Sequence, residues 1–166
     1  SFDDLISKVS ECSVKKVSVA VAQDSAVLEA VAAAKERGIA EAILVGDADK
    51  IKEVAGQINM DLTGYEIIDE KDDYTAALKA VELVHNGKAD MYMKGLIDTK
   101  SFLKSVLDKE VGLRTGKTLS HVCVFEIKGI DHLLFLTDVA FMTYPTLEDK
   151  VHIIENTVDV CHACGI

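Results

Sequence analysis

Tryptophan is absent from this sequence, proline occurs once, and aromatic residues make up only 5% of the chain. A core without large rings must be filled by Val, Ala, Leu and Ile, the residues of a parallel sheet buried between helices. Cations are also scarce, with 18 Lys and Arg against 28 Asp and Glu. That balance excludes the basic face of a nucleic-acid binder, and the pI near 4.9 favours a soluble cytoplasmic protein. No apolar run approaches the roughly 20 residues of a bilayer span, and no secretory leader is visible, so no membrane partner is expected. Cys12, Cys123, Cys161 and Cys164 do not make a disulfide framework for a chain of this size. The Cys161-His162-Ala163-Cys164 spacing resembles a redox or zinc half-site. It falls at the end of a predicted helix, where the dipole has the wrong sign for a reactive thiol, and no second ligand pair accompanies it. Ordinary thiols and no metal are expected.

Two phosphate-binding signatures are missing as well. The first strand-to-helix turn, VAVAQDSAVLEA, has no glycine between Ala22 and Glu29, so it lacks the dinucleotide fingerprint. GLRTGKT has Val111 where a Walker A loop needs its first glycine.

What is present is a regular alternation of strand and helix patterns. A length of 166 residues allows one domain that buries roughly 70% of its unfolded surface. Strands are predicted at 15–22, 41–46, 65–70 and 89–95. Helices are predicted from Asp24 or Ser25 to Arg37, then over 47–58, 73–86 and 99–109, with Gly38 and Asn86-Gly87 as stops. The expected fold is a three-layer α/β/α arrangement with a mostly parallel sheet and right-handed crossovers. Later, 121–127 and 132–138 read as strands joined by Lys128-Gly129-Ile130-Asp131, a hairpin adding one antiparallel strand to that sheet. Pro145 opens a last helix to about His162. Gly165-Ile166 reads as a helix stop followed by the start of something further. A free-standing domain and one lobe of a two-lobed protein both end that way.

Chemistry concentrates between Lys94 and Asp138. Residues 88–117 hold seven cations (Lys88, Lys94, Lys100, Lys104, Lys109, Arg114, Lys117) and four acids (Asp90, Asp98, Asp108, Glu110), whereas the rest carries 11 cations and 24 acids. A cationic island on an acidic protein suggests a small anionic ligand. Lys94-Gly95 stands where a strand leaves the sheet, and Thr99 can cap the next helix. The Gly95 amide, the Thr99 hydroxyl and the helix N-terminus could together hold a phosphate or carboxylate; a well-built turn is the alternative. Arg114 offers a bidentate fork, with Thr115, Gly116 and Thr118 as neutral donors, against the alternative of a solvated loop. Ser120 and His121 are adjacent, point to opposite faces and are not a nucleophile–base pair. Asp138 ends an apolar strand, where either a functional carboxylate or a turn residue fits. His85, His132 and His152 read as surface or helix-end residues.

The segments KGLIDTKSFLKSVLDKEVGLRTGKTLSHVCVFEI and LLFLTDVAFMTYPTLEDKV, with VAVAQDSAVLEAV and AILVGDADKI, resemble the phosphate acetyl/butyryltransferase family across essentially the whole chain. The resemblance implies acyl transfer between coenzyme A and inorganic phosphate without a metal or a permanently bound cofactor, acyl-CoA being a substrate. Short acyl chains are expected by similarity to the butyryl branch. It implies a homo-oligomer of two-lobed chains with isocitrate/isopropylmalate dehydrogenase-like architecture. Residues 1–166 would form the N-terminal lobe, inactive alone, with the main catalytic groups in the second lobe. Lys94, Gly95, Thr99, Arg114, Thr115, Gly116, Ser120, His121 and Asp138 match this lobe's share of the cleft. One departure stands out: a D-x-x-x-N-x-x-P pattern is expected, and this chain keeps Asp138 and Pro145 but has Met142 for Asn. A non-catalytic module binding anions or coenzyme A is the alternative function.

Overall fold

A computed structural model describes all 166 residues. Its elements run α1 (Phe2–Ser10), β1 (Lys15–Ala20), α2 (Ser25–Glu36), β2 (Ala40–Gly46), α3 (Ala48–Gln57), β3 (Glu66–Asp69), α4 (Asp73–His85), β4 (Met91–Lys94), α5 (Thr99–Val106), β5 (Val122–Phe125), β6 (Leu134–Thr137) and α6 (Leu147–Ala163). They fall into two compact units, Ser10–Arg114 and Ser1–Val9 with Thr115–Ile166, where the length suggested one domain. The two-unit division follows from the strand pairing: no strand of one unit pairs with a strand of the other.

In the Ser10–Arg114 unit the sheet is parallel and ordered β3-β2-β1-β4. Val19 lies beside Leu44 and Met93, and Ala20 beside Val45 and Lys94. Alternation along the strands sends successive side chains to opposite faces. Val19, Ala42 and Leu44 meet Leu28 and Val31 of α2 and Ile51 and Ala55 of α3. Ala20, Ile43 and Val45 meet Ala76, Ala77 and Ala80 of α4. Helices therefore cover both faces, and the alanine stripe of α4 lets that helix approach the sheet closely. Each helix start is held by an aspartate. Asp24, Asp47, Asp72 and Asp98 accept hydrogen bonds from the amides of Val27, Asp49 and Lys50, Thr75, and Ser101. Such caps contribute about 1 kcal/mol each.

The second unit corrects one expectation. β5 and β6 form a separate antiparallel pair, Val122 beside Thr137 and Phe125 beside Leu134, and add no strand to the parallel sheet. Each strand is only four residues long, and its ladder groups face the other's. The apolar pattern identified the strands but could not say which sheet they join. α6 starts at Thr146, whose hydroxyl and backbone amide exchange hydrogen bonds with Asp149 in a capping box. Cys161 lies in its last turns and Cys164 at its C-cap. α1 was not foreseen. No helix is long and apolar enough to cross a membrane.

Candidate anion site

The β3-β2-β1-β4 order makes the chain reverse direction between β1 and β4. In open α/β sheets, ligands bind outside the carboxyl ends of strands at such a point. Lys94 and Gly95 leave β4 here. The Gly95 amide donates to Ala20 O at 2.8 Å, and the Leu96 amide to Val21 O at 2.8 Å. A Cβ on Gly95 would collide with both of those carbonyl oxygens. Val21 has φ +57°, a conformation that a β-branched residue avoids and that is concentrated at functional sites.

This geometry revises the predicted cradle. The Gly95 amide is already bonded to β1, so glycine serves close backbone approach and not anion donation. Asp98, not Thr99, is the N-cap of α5, its carboxylate accepting from the Ser101 amide at 2.9 Å. A carboxylate therefore already occupies the helix N-terminus. What stays open is the Lys94 ammonium, exposed at the strand end, and Thr99, exposed in the first turn.

The charge island has a structural cause. Three of its four acids, Asp90, Asp98 and Asp108, are engaged by the protein's own backbone. Asp90 accepts from the Lys16 amide at 2.8 Å, and Asp108 from the amides of Glu110 and Val111 at 2.9 and 3.0 Å. These bonds hold the carboxyls below their usual range: Lys16 is the main cause at Asp90, the Ser101 hydroxyl at Asp98, and the Val111 amide at Asp108. The cations are left open. Of the seven, only Lys117 has a carboxylate at ion-pair distance, Glu155 at 3.8 Å. Lys104 lies over the Tyr74 ring at 4.3 Å. Arg114 is exposed, with neither ion pair nor hydrogen bond.

In the second unit, Thr115 and Gly116 lie on an exposed turn, with Thr115 Oγ1 accepting from the Lys117 amide at 3.4 Å and Gly116 at φ +84°. Ser120 and His121 precede β5, where the sequence predicts a strand position, and serve different partners. Ser120 Oγ accepts from Asn156 Nδ2 at 2.8 Å. The His121 ring lies 5.4 Å from the Phe141 ring, with Cys123 Sγ 3.6 Å from its Nε2. The His121 amide donates to Asp138 Oδ1 at 3.2 Å, and the amides of Ala140 and Phe141 reach the same oxygen at 3.3 Å. Burial pushes the Asp138 carboxyl up, but the amides of Phe141, Ala140, His121 and Met142 outweigh it and leave it lowered. Asp138 Oδ2 and the neighbouring Thr137 Oγ1 are buried without a partner. Buried polar atoms left without a partner are costly to keep. At Met142 a backbone amide contributes to the Asp138 turn where the expected Asn would add a side chain.

Sequence reasoning missed the supports behind this segment. Thr118 Oγ1 donates to Asp149 Oδ1 at 2.8 Å, its amide donates to His152 Nδ1 at 3.3 Å, and Asn156 Nδ2 also donates to Thr118 O at 3.1 Å. Asp149, His152 and Asn156 stand at i, i+3 and i+7, one face of α6. That polar stripe is readable from its spacing, and His152, expected at the surface, is part of it. His85 likewise has a partner, its Nδ1 lying 2.9 Å from Gly112 O.

A family model described as "Phosphate acetyl/butaryl transferase" matches residues 1–77 and 74–166. The chain belongs to this family. It is 61% identical, over its whole length, to 55% of the phosphate butyryltransferase of Clostridium beijerinckii. It is 38% identical, over 92% of its length, to 51% of the phosphate acetyltransferase of Thermotoga maritima. A phosphotransacetylase structure from Streptococcus pyogenes has the same fold, with TM-score 0.83 at 19% identity, covering all of this chain and 60% of that one. The chain thus spans about half the length of the curated relatives it matches, and corresponds to an N-terminal part of the butyryltransferases.

Proposed function

We propose that this chain supplies one lobe of an enzyme that converts butyryl-CoA and inorganic phosphate into butyryl phosphate and coenzyme A, and the reverse. The observation that carries the reading is the set of cations from Lys88 to Arg114, none with a carboxylate at ion-pair distance, while Asp90, Asp98 and Asp108 among them bond the backbone. Phosphate, acyl phosphate and the phosphates of coenzyme A are all anions of the kind such a surface attracts.

In the forward direction a phosphate oxygen attacks the thioester carbonyl carbon, the carbon–sulfur bond breaks, and the sulfur leaves as a thiolate that takes up a proton. Bringing an anion to the thioester is the main obstacle, so positioning and charge stabilisation should supply much of the rate. Within the Ser10–Arg114 unit, Arg114 is suited to grip a phosphate with two parallel hydrogen bonds, with Lys94 as a point charge and Thr99 as a neutral donor; Thr115, Gly116 and Ser120 are the neutral donors of the other unit. Asp138 is held ionised, which suits it to accept a hydrogen bond through Oδ2 and orient a donor. His121 lines the same strand end. Gly95 allows the β4 turn to lie against β1. The remaining catalytic groups belong to the complementary lobe, in an isocitrate/isopropylmalate dehydrogenase-like arrangement. The reading carries a cytoplasmic homo-oligomer that uses acyl-CoA as a substrate and holds no resident cofactor.

The test is phosphate-dependent thiol release from butyryl-CoA. The 166-residue chain is assayed alone and joined to the remaining C-terminal part of the C. beijerinckii butyryltransferase. Turnover in the joined protein only is expected. Binding of coenzyme A by both forms with turnover in neither would instead favour a non-catalytic module.

A further inference from the structure

The unit containing Thr115–Ile166 exposes apolar side chains on two opposite sides. On α6, Leu147, Val151, Ile154 and Val158 are 82%, 46%, 62% and 42% exposed, and their spacing of four, three and four residues makes one stripe. The opposite side of that helix carries buried Ile153 and the Asp149–His152–Asn156 contacts to Thr118 and Ser120. The hairpin repeats the pattern. Ser120, Val122 and Val124 share the parity that faces α6. On the other parity, Phe125, its cross-strand partner Leu134, and Leu136 are 43%, 43% and 49% exposed. β5 and β6 pair only with each other, so each keeps an edge without a strand partner. A lone two-stranded sheet is marginal in water, and an open apolar edge is an aggregation hazard.

Two occupants are in question, a second copy or additional polypeptide. An isologous contact covers one self-complementary patch. Here the apolar surface lies on both sides of a helix-on-hairpin layer, so one such contact would leave a side bare. The C. beijerinckii relative carries about 45% of its length beyond the 55% that matches this chain, and the S. pyogenes structure about 40% beyond the 60% matched. That is enough chain to add strands to the hairpin edges and to cover both faces. We infer that the α6 stripe and the outer face of the β5–β6 hairpin are the seat of the polypeptide that these relatives carry beyond the matched part.

This inference rests on family membership and not on the acyl-transfer reading, so its test uses no activity. Ile154→Cys and Leu136→Cys are introduced separately, and maleimide labelling at each position is resolved from the native cysteines by peptide mass spectrometry. Both sites are expected to label at least 10-fold more slowly when the chain is joined to the C-terminal part of the C. beijerinckii relative than in the 166-residue chain, independently of protein concentration. Equal rates at either site overturn the inference. So does protection within the 166-residue chain that grows with concentration, which assigns the surface to a second copy. Should the joined protein fail to fold, cysteines at the aligned positions of the intact C. beijerinckii enzyme are labelled, and rapid reaction there overturns the inference equally.

Discussion

The Ser10–Arg114 unit and the unit containing Thr115–Ile166 solve the same problem to different degrees. In the first, side chains on both faces of the sheet are covered: Val19, Leu44 and Ile51 are fully buried on one face, Val45, Ala76 and Ala80 on the other. In the second, a four-residue hairpin and one long helix cover only their facing surfaces, and Leu136 and Ile154 stay open. The contrast is informative because α6 is well started, with a capping box, and its polar face is fully engaged. Local order is thus present where apolar coverage is not. Half-covered layers of this kind identify a surface awaiting a partner, whereas the closed sheet identifies the part whose stability is its own.

Substitutions can sharpen this contrast. The largest effect is expected at Leu44, fully buried between two strands and two helices. Leu44→Ala should lower unfolding free energy by about 3–4 kcal/mol in urea titration, whereas Leu136→Ala in the 166-residue chain should cost under about 0.5 kcal/mol. Equal costs would abolish the distinction between the units. Next comes Gly95→Ala. The added methyl meets two backbone carbonyls that cannot move without disturbing β1, and about 3 kcal/mol is expected. Gly116→Ala, where only the positive φ resists, should cost about 1 kcal/mol. Asp98→Ala should cost about 1 kcal/mol through loss of the α5 cap, and Asp98→Asn much less, because Asn keeps the acceptor oxygen.

The pH dependence has an acid and an alkaline side in both units. Asp47, Asp72, Asp90, Asp98 and Asp108 in the first, and Asp4, Asp131, Asp138 and Asp149 in the second, have carboxyls held below the ordinary value. The folded state therefore binds these protons less readily than the unfolded state, so stability is lost in both as pH falls below about 4. Both units have an alkaline counterpart: in the second, the neighbouring Asp4 carboxylate raises the Ser1 ammonium, and in the first, burial raises the Tyr65 and Tyr92 hydroxyls. Burial pushes the Tyr92 hydroxyl up to about 12, against the opposing effect of its 2.8 Å hydrogen bond with Ser105 Oγ. The folded state then retains a proton that the unfolded state gives up near pH 10, and stability falls between pH 10 and 12. Tyr92→Phe should flatten that limb in thermal unfolding followed against pH. An unchanged alkaline limb would show that Tyr92 is not its source.

Much of the first unit was legible because its signals are local. Val and Ala runs set the strands, and Asp24 and Gly38 bracket α2 as the sequence suggested. What was not legible depends on contacts distant in the chain. The hairpin's composition is that of any short antiparallel pair, and only tertiary pairing decides whether it joins a larger sheet. The Lys94–Thr99 segment reads as an anion cradle because Gly95, Thr99 and a helix N-terminus come together at a strand end. The choice of Asp98, and the use of the Gly95 amide by Ala20 O, follow from how β4 lies against β1. The polar stripe that holds Asn156 is readable from its spacing, but its partner Ser120, 36 positions away, is not. The charge island, by contrast, was countable from the sequence, and the structure adds why its cations stay open.

The central claim is that the cations left open between Lys88 and Arg114 receive substrate phosphates. Calorimetric titration of inorganic phosphate and coenzyme A into the 166-residue chain and its Arg114→Ala variant tests it most directly. Removal of one bidentate, charge-assisted contact predicts roughly 10-fold weaker binding of both ligands, with the unfolding midpoint unchanged. Unchanged affinity for both would take Arg114 out of the site and contradict the assignment.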